Sequence, residues 1–293
     1  MIPFNFEYYK PSSIHEAVQL FQRLDTEEKQ PIYYSGGTEI ISLARINILY
    51  TKAIIDIKSI PECNVLHLEK DQLVLGACLP LTEIEESNFY PLLTKTIQEI
   101  ADRTARNKIT IGGNICGQIF YREAILPFLI SNSQVVIAGI HGIKTMPIQQ
   151  VFHQHLHLKK GEFLVQMITE KADLHLPFIS IKKRQQWDTG YPLITVTAAK
   201  KPSSSFIENS SNQSLTNYER IQIAFSGLNP FPYRSEEIER DLNQQHLSLE
   251  QKVDLATSHL PEPILDDFEG SAQYRKFVMK NTLQHVLSTL EVQ

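Results

Sequence analysis

The chain has 293 residues, more than one small domain needs and enough for two. Hydrophobic residues make up 42% and charged residues 21%, which suits a globular protein with a sizeable core. A net charge of -5 lacks the basic surplus of a nucleic-acid binder, and no run reaches the roughly 18 apolar residues of a membrane span. The opening MIPFNFEYYKP has no basic region followed by an apolar one. Cys63, Cys78 and Cys116 are scattered and form no Cys-x-x-Cys. That pattern gives no disulfide framework and no zinc or iron–sulfur ligand set, and the expectation is a cytoplasmic protein without metal.

Ser13 to Glu16 reads as a capping box that opens an amphipathic helix through Ala17, Val18, Phe21 and Leu24. A short strand, Ile32 to Tyr34, runs into Ser35-Gly36-Gly37-Thr38, and Ala53 to Ile57 is a second strand. Leu66 to Leu68 and Leu73 to Leu75 read as a hairpin, and Thr82-x-x-Glu85 as another capping box. One helix is expected over about Pro91 to Thr104, then a turn through Thr110-Ile111-Gly112-Gly113-Asn114, then a helix over Ile125 to Ile130. Gln134 to Ile140 and Ile143 to Met146 form a second hairpin. The runs 163–168, 178–182, 193–199 and 221–225 read as strands with no long helix between them, which suggests an antiparallel sheet in the C-terminal third. Lys201 to Asn217 reads as a long solvated loop. Helices follow at 235–242, 248–260 and 271–290. The last is expected to bury Tyr274, Phe277, Val278, Leu283, Val286, Leu287 and Leu290.

Two Gly-Gly turns beside hydroxyl residues carry the chemistry. Glycine admits positive φ and close approach of a ligand to the main chain, and successive N–H groups in such a turn form a nest for anions. A pyrophosphate needs several donors at once, which two converging turns can supply. Neither turn matches the Rossmann fingerprint, there is no Walker lysine, and no hydrolase triad order is visible. A single Gly-Gly is ordinarily just a tight turn.

Tyr34 to Ile41, followed by Thr110 to Cys116, resembles the FAD-binding family of xanthine and carbon monoxide dehydrogenases. The resemblance continues in order through Leu75-Gly76-Ala77, Leu81 to Ile84, Gly161 to Leu164, Ile181 to Arg184, Ile223 to Pro230 and Gly270 to Arg275. It implies an α+β chain. A two-subdomain FAD-binding domain of the PCMH/vanillyl-alcohol-oxidase type is expected over 1–173, with subdomains at about 1–57 and 58–173. A C-terminal antiparallel sheet with helices is expected over 174–293.

The resemblance also implies site residues. Tyr33, Tyr34, Ser35, Gly36, Gly37, Thr38, Glu39 and Ile40 would form the first FAD loop, and Thr110, Gly112, Gly113 and Asn114 the second. Ile100 would lie against the cofactor, and Glu123 stands where the family's Asp contacts the nucleotide end. Leu164 and Lys182 would come from the domain junction, the lysine near the flavin's pyrimidine edge. Arg106, Asn107 and Lys108 are read as shaping the second loop or a subunit contact. The segment Gly117 to Glu123 is bulkier than the family pattern, and its acid is one methylene longer. No residue is assigned a catalytic role.

By resemblance, the chain is an electron-transfer subunit of a molybdenum hydroxylase. It would take electrons from the [2Fe–2S] clusters of a small partner subunit through FAD to NAD+ or O2, while a large subunit carries the molybdenum cofactor. A stand-alone flavin oxidoreductase, or a scaffold subunit that has lost FAD, remains open on the residues alone. His153-x-His155-x-His157 places three histidines on one face, but without an acidic or cysteine partner it reads as a solvated loop. Trp187 is read as packing near the expected flavin mouth.

Overall fold

The computed structural model describes residues 2–185, 190–205 and 216–292, so Trp187 lies outside the described residues. Strands β1 (Glu7–Tyr9), β2 (Ile32–Tyr34) and β3 (Ala53–Asp56) form a parallel sheet in the order β1-β3-β2. Helix α1 (Ile14–Thr26) packs on it through Ala17, Val18 and Leu24. Ser13 caps α1 by accepting from the Glu16 N–H, but the Glu16 carboxylate takes the Ser12 N–H instead of Ser13's. The register pairs Tyr34 with Asp56, so β2 and β3 end side by side. Carboxyl ends of adjacent parallel strands are where open α/β sheets place ligands. Helix α2 (Thr38–Arg45) starts there.

The second sheet is antiparallel. It contains β4 (Leu66–Glu69), β5 (Gln72–Gly76), β6 (Gln134–Gly139) and β7 (Gly142–Pro147). A short separate hairpin follows, β8 (Phe152–His153) and β9 (His155–Leu156), and then β10 (Phe163–Glu170) enters the centre of the large sheet. The order is β4-β5-β10-β6-β7, with a bulge between Leu164 and Gln166. One face packs on the first sheet through Val136, Ala138, Phe163 and Val165. The other packs on α3 (Leu81–Ser87), α4 (Pro91–Gln98), α6 (Ile111–Cys116) and α7 (Leu126–Ile130), while α5 (Arg103–Arg106) lies against α3 through the Arg106–Glu85 ion pair.

A third sheet, β11 (Phe178–Lys183), β12 (Ile194–Ser205), β13 (Thr216–Ser226) and β14 (Tyr233–Arg234), is antiparallel in chain order. The helix Ala272–Val292 covers it with Met279, Leu283, Val286, Leu287 and Leu290. Mixed helices and sheets with a C-terminal antiparallel sheet match the α+β expectation.

Several local expectations change. The helix expected over 91–104 breaks after Gln98: Ala101 sits at φ +50°, and Asp102 caps α5 by accepting from the Ala105 N–H at 2.7 Å. Pro80, not Thr82, precedes the first turn of α3, and Thr82 is buried inside it. The 201–217 loop is shorter than expected, because β12 continues to Ser205 and β13 resumes at Thr216; residues 206–215 lie outside the described residues. The 153–157 segment is a hairpin rather than an irregular loop. The terminal helix leaves Phe277 62% and Tyr274 50% exposed. Its buried stripe instead starts at Arg275, whose guanidinium reaches the Leu193, Gly227 and Gly270 carbonyls and the Asp267 carboxylate. A buried charge so fully hydrogen-bonded is tolerable where a bare one is not, and it sets the rotation of the helix.

Candidate functional site

The first glycine turn sits where β2 hands over to α2. Gly37 is left-handed (φ +72°), which glycine adopts without steric cost. A β-carbon there would also lie 2.1 Å from the Tyr34 ring, so the tyrosine and the glycine require each other. Among the described residues, nothing accepts the N–H groups of Gly37, Thr38, Glu39 or Ile40. They are the orphan donors of a helix N-terminus, with its partial positive charge. Lys58 stands beside them. Its Nζ donates to the Ser35 carbonyl at 3.0 Å and to Asp56 at 2.8 Å, and lies 4.3 Å from the centre of the Tyr34 ring.

The second turn begins at Thr110, which caps α6: its hydroxyl accepts from the Gly113 N–H at 3.2 Å. The two turns meet. Ser35 Oγ and Thr110 Oγ1 share a hydrogen bond of 2.9 Å, and the Gly36 N–H reaches the same Thr110 oxygen at 3.4 Å. A side chain on Gly36 would strike the Lys108 carbonyl at 2.1 Å, so glycine is what lets the two loops touch. Gly112 has a different duty. It packs on Ala77, where a β-carbon would lie 2.6 Å from the alanine's own, and its N–H is spent on the Ala77 carbonyl. Cys63 and Cys78 are both buried, and the Cys78 N–H donates to the Cys63 carbonyl at 2.8 Å.

Glu39 reaches across from α2 to accept from the Gln118 N–H at 2.6 Å and the Ile119 N–H at 3.4 Å. Gly117 is bare because a β-carbon there would meet the Glu39 carboxylate at 2.5 Å. Arg122 closes the bulky segment by donating to the Gly117 carbonyl at 2.6 Å and the Gln154 carbonyl at 2.7 Å. Burial pulls its pKa down from the usual arginine value. Asn114 accepts from the Ala124 N–H at 3.2 Å. Tyr121 and Tyr191 stack at 4.9 Å across the seam with the third sheet.

Other expected residues sit elsewhere. Tyr33 is a packing residue, stacked on Phe21 at 5.0 Å, tilted on Phe163, and donating to the Gly161 carbonyl. Ile100 and Leu164 are buried in the core. Ile40 lies half-buried on α2. Glu123 and Lys182 are brought together as an ion pair of 2.8 Å, with side chains only 5% and 2% exposed. Thr195 donates to the other Glu123 oxygen at 2.6 Å, and Lys182 also donates to the Glu99 carbonyl at 2.8 Å. Burial lowers the Lys182 pKa, with Glu123 opposing. The two residues that the resemblance assigns to separate ends of the cofactor are thus partners of each other.

Sequence reasoning missed Lys58. It lies two residues beyond the end of β3, and only the β1-β3-β2 order places it beside Ser35. An Asp-x-Lys at a strand end was the only available signal. Chemically, the site offers four unaccepted main-chain N–H groups, two hydroxyls and one ammonium, which suits a ligand with several anionic oxygens. Among the described residues, no three His, Cys, Asp or Glu side chains already converge on a metal ion, and no helix is long and apolar enough to cross a membrane.

Residues 4–169 match the family described as the FAD binding domain in molybdopterin dehydrogenase. The chain is 24% identical over 289 residues to the glyceraldehyde dehydrogenase medium chain of Sulfolobus acidocaldarius, covering 96% of each. It is 30% identical over 156 residues to the carbon monoxide dehydrogenase medium chain of Hydrogenophaga pseudoflava, covering 52% of this chain and 53% of the relative. The solved carbon monoxide dehydrogenase of H. pseudoflava superposes with a TM-score of 0.85 at 22% identity, over 100% of this chain and 99% of that one. Quinoline 2-oxidoreductase from Pseudomonas putida gives 0.80 at 19%, over 99% and 98%.

Proposed function

The chain belongs to the family of FAD binding domains in molybdopterin dehydrogenases, and from that premise we propose that it carries electrons through FAD inside a molybdenum hydroxylase. In this reading a small [2Fe–2S] subunit delivers the electrons, NAD+ or O2 receives them, and a large subunit holds the molybdenum cofactor. The observation that carries it is the contact between the two glycine turns, Ser35 Oγ to Thr110 Oγ1 at 2.9 Å, beside a row of unaccepted N–H groups. A dinucleotide pyrophosphate fits that donor set.

The residues would divide the work as follows. Gly37, Thr38, Glu39 and Ile40 present main-chain N–H donors to the diphosphate, and Lys58 balances its charge. Ser35 and Thr110 hold the two turns at a fixed separation. Glu39 and Arg122 fix the 117–122 segment as one wall. Tyr121 and Tyr191 line the seam toward the third sheet, where an aromatic ring finds stacking partners. FAD, when bound, supplies the ability to accept two electrons and release them. In this reading substrate oxidation falls to the large partner subunit.

The test is a visible spectrum of the purified full chain, before and after incubation with FAD, followed by co-purification with its partners. Flavin absorbance retained through gel filtration, and molybdenum and iron–sulfur chains in the same complex, are expected. A chain that never retains flavin would refute the reading and leave a scaffold subunit. NADH turnover at full rate without partners would point to a stand-alone flavin oxidoreductase.

A further inference from the structure

The run Phe152-His153-Gln154-His155-Leu156-His157 folds into the hairpin β8–β9. Phe152 pairs with Leu156 and His153 with His155, and Gln154 makes the turn at φ +68°. The His157 N–H donates to the Val151 carbonyl at 2.8 Å and extends the ladder by one pair. Side chains alternate between the two faces of a strand. Phe152 and Leu156 are both buried, so His153, His155 and His157 must share the opposite, exposed face.

The rings gather there. The centres of His155 and His157 are 4.2 Å apart, and those of His153 and His157 are 5.7 Å apart, which puts His157 in the middle. No carboxylate joins them by ion pair; the charged neighbours are cationic, with Arg122 bonded to the Gln154 carbonyl and Lys159 two residues beyond His157. Imidazole is the commonest side-chain ligand for late transition metals. As placed, the three rings do not form a closed metal-ligand group. The side chains are exposed, so rotation about χ1 and χ2 can bring them together without moving the backbone.

We propose that the 152–157 hairpin is a three-histidine site for a late divalent transition metal such as Zn2+, Ni2+ or Cu2+, with water completing the coordination. Three nitrogen donors suit a tetrahedral Zn2+ with one open position, and the same donors favour Cu2+ and Ni2+ over harder ions. The neighbouring Arg122 and Lys159 weaken affinity, so the site is one of exchangeable binding. It is independent of the flavin reading, but Arg122 links its turn to the Gly117 carbonyl in the wall of the glycine-turn site.

The full chain without an affinity tag, treated with chelator, is titrated calorimetrically with ZnCl2 and NiCl2. Zn2+ is the primary probe because it does not oxidise the exposed Cys116. One ion per chain with micromolar affinity is expected. His157→Ala or His155→Ala should weaken it by about tenfold or more, by analogy with the cost of disturbing even outer partners of a metal site. His246→Ala, at an exposed histidine elsewhere, should leave it unchanged. Circular dichroism of the variants should match the parent, because the replaced rings are exposed. Binding no tighter than millimolar, or an ion retained in the His155→Ala/His157→Ala double variant, overturns the proposal.

Discussion

Replacing Glu123 by leucine removes the partner of a lysine that is 2% exposed. Lys182 would keep only the Glu99 carbonyl, and Thr195 would lose its acceptor. Breaking a buried pair from one side costs about 3–5 kcal/mol, because it strands a charge in a low-dielectric interior. Lys182→Met strands Glu123 instead, with one hydroxyl donor left, and should cost a similar amount. The Glu99 carbonyl survives that change, because Arg184 also donates to it at 2.7 Å. The double variant Glu123→Leu/Lys182→Met fills the same space with apolar groups and should recover most of the loss. Urea unfolding of the four proteins, each saturated with FAD, measures this cycle. The expected signature is two costly single changes and a nearly silent double one. If Lys182→Met left the urea midpoint in place while shifting the midpoint potential of bound flavin, the lysine would face the cofactor and the argument from the ion pair would be wrong.

Gly37→Ala places a methyl group against the Tyr34 ring at a positive φ, and should cost about 1–3 kcal/mol and lower FAD retention on gel filtration. Thr110→Ala removes the cap of α6 and the bond to Ser35, so a loss of about 1 kcal/mol in chemical unfolding is expected, with faster release of flavin. Lys58→Ala should weaken FAD binding with a reduced dependence on salt, measured by flavin fluorescence, since it deletes a cation beside the diphosphate donors. Asp56 gives a pH prediction. Burial acts to raise its pKa, but hydrogen bonds from Lys58 and Tyr8 prevail and hold it below the usual carboxylate range. The unfolded chain therefore binds more protons in the window between the two values, so stability is present above roughly pH 4 and is lost as pH falls through the folded value. Asp56→Asn should make acid unfolding shallower. A slope unchanged from the parent would count against it.

How much of this was legible in the sequence depended on whether a feature was local. The Ser13 cap, two of the three strands of the first sheet and the antiparallel C-terminal strands follow from capping chemistry and apolar patterning, whereas Glu7–Tyr9 carries no apolar run to mark it. Both glycine turns were visible as Gly-Gly beside hydroxyls. The break at Ala101 was not, because nothing in the apolar spacing marks a left-handed alanine; Asp102 as a new cap was the available signal. Gly112 and Gly113 look alike as letters, yet one packs on Ala77 and the other answers to Thr110. Tyr33 and Tyr34 look alike too, but strand alternation sends the first toward Phe21 and Phe163 and leaves the second over Gly37. Glu123 and Lys182 are 59 residues apart, and their pairing depends on how the third sheet docks.

That docking explains why a buried lysine is kept. The chain after α4 leaves the carbonyls of Glu99, Ile100 and Ala101 without main-chain partners at the negative pole of the helix. Lys182 and Arg184, both from the end of β11, donate to the Glu99 carbonyl, and Arg106 donates to those of Ile100 and Ala101. Two of these three cations come from the third sheet, so the sheet is bound to the helix layer through main-chain oxygens that have no other acceptor role. Glu123 then neutralises the one cation that the surface cannot solvate. The same contacts fix the start of the segment that leads through Thr110 into the second glycine turn. A lysine that ties the third sheet to the end of α4 therefore helps to set the seam lined by Tyr121 and Tyr191 against the layer that carries the second glycine turn.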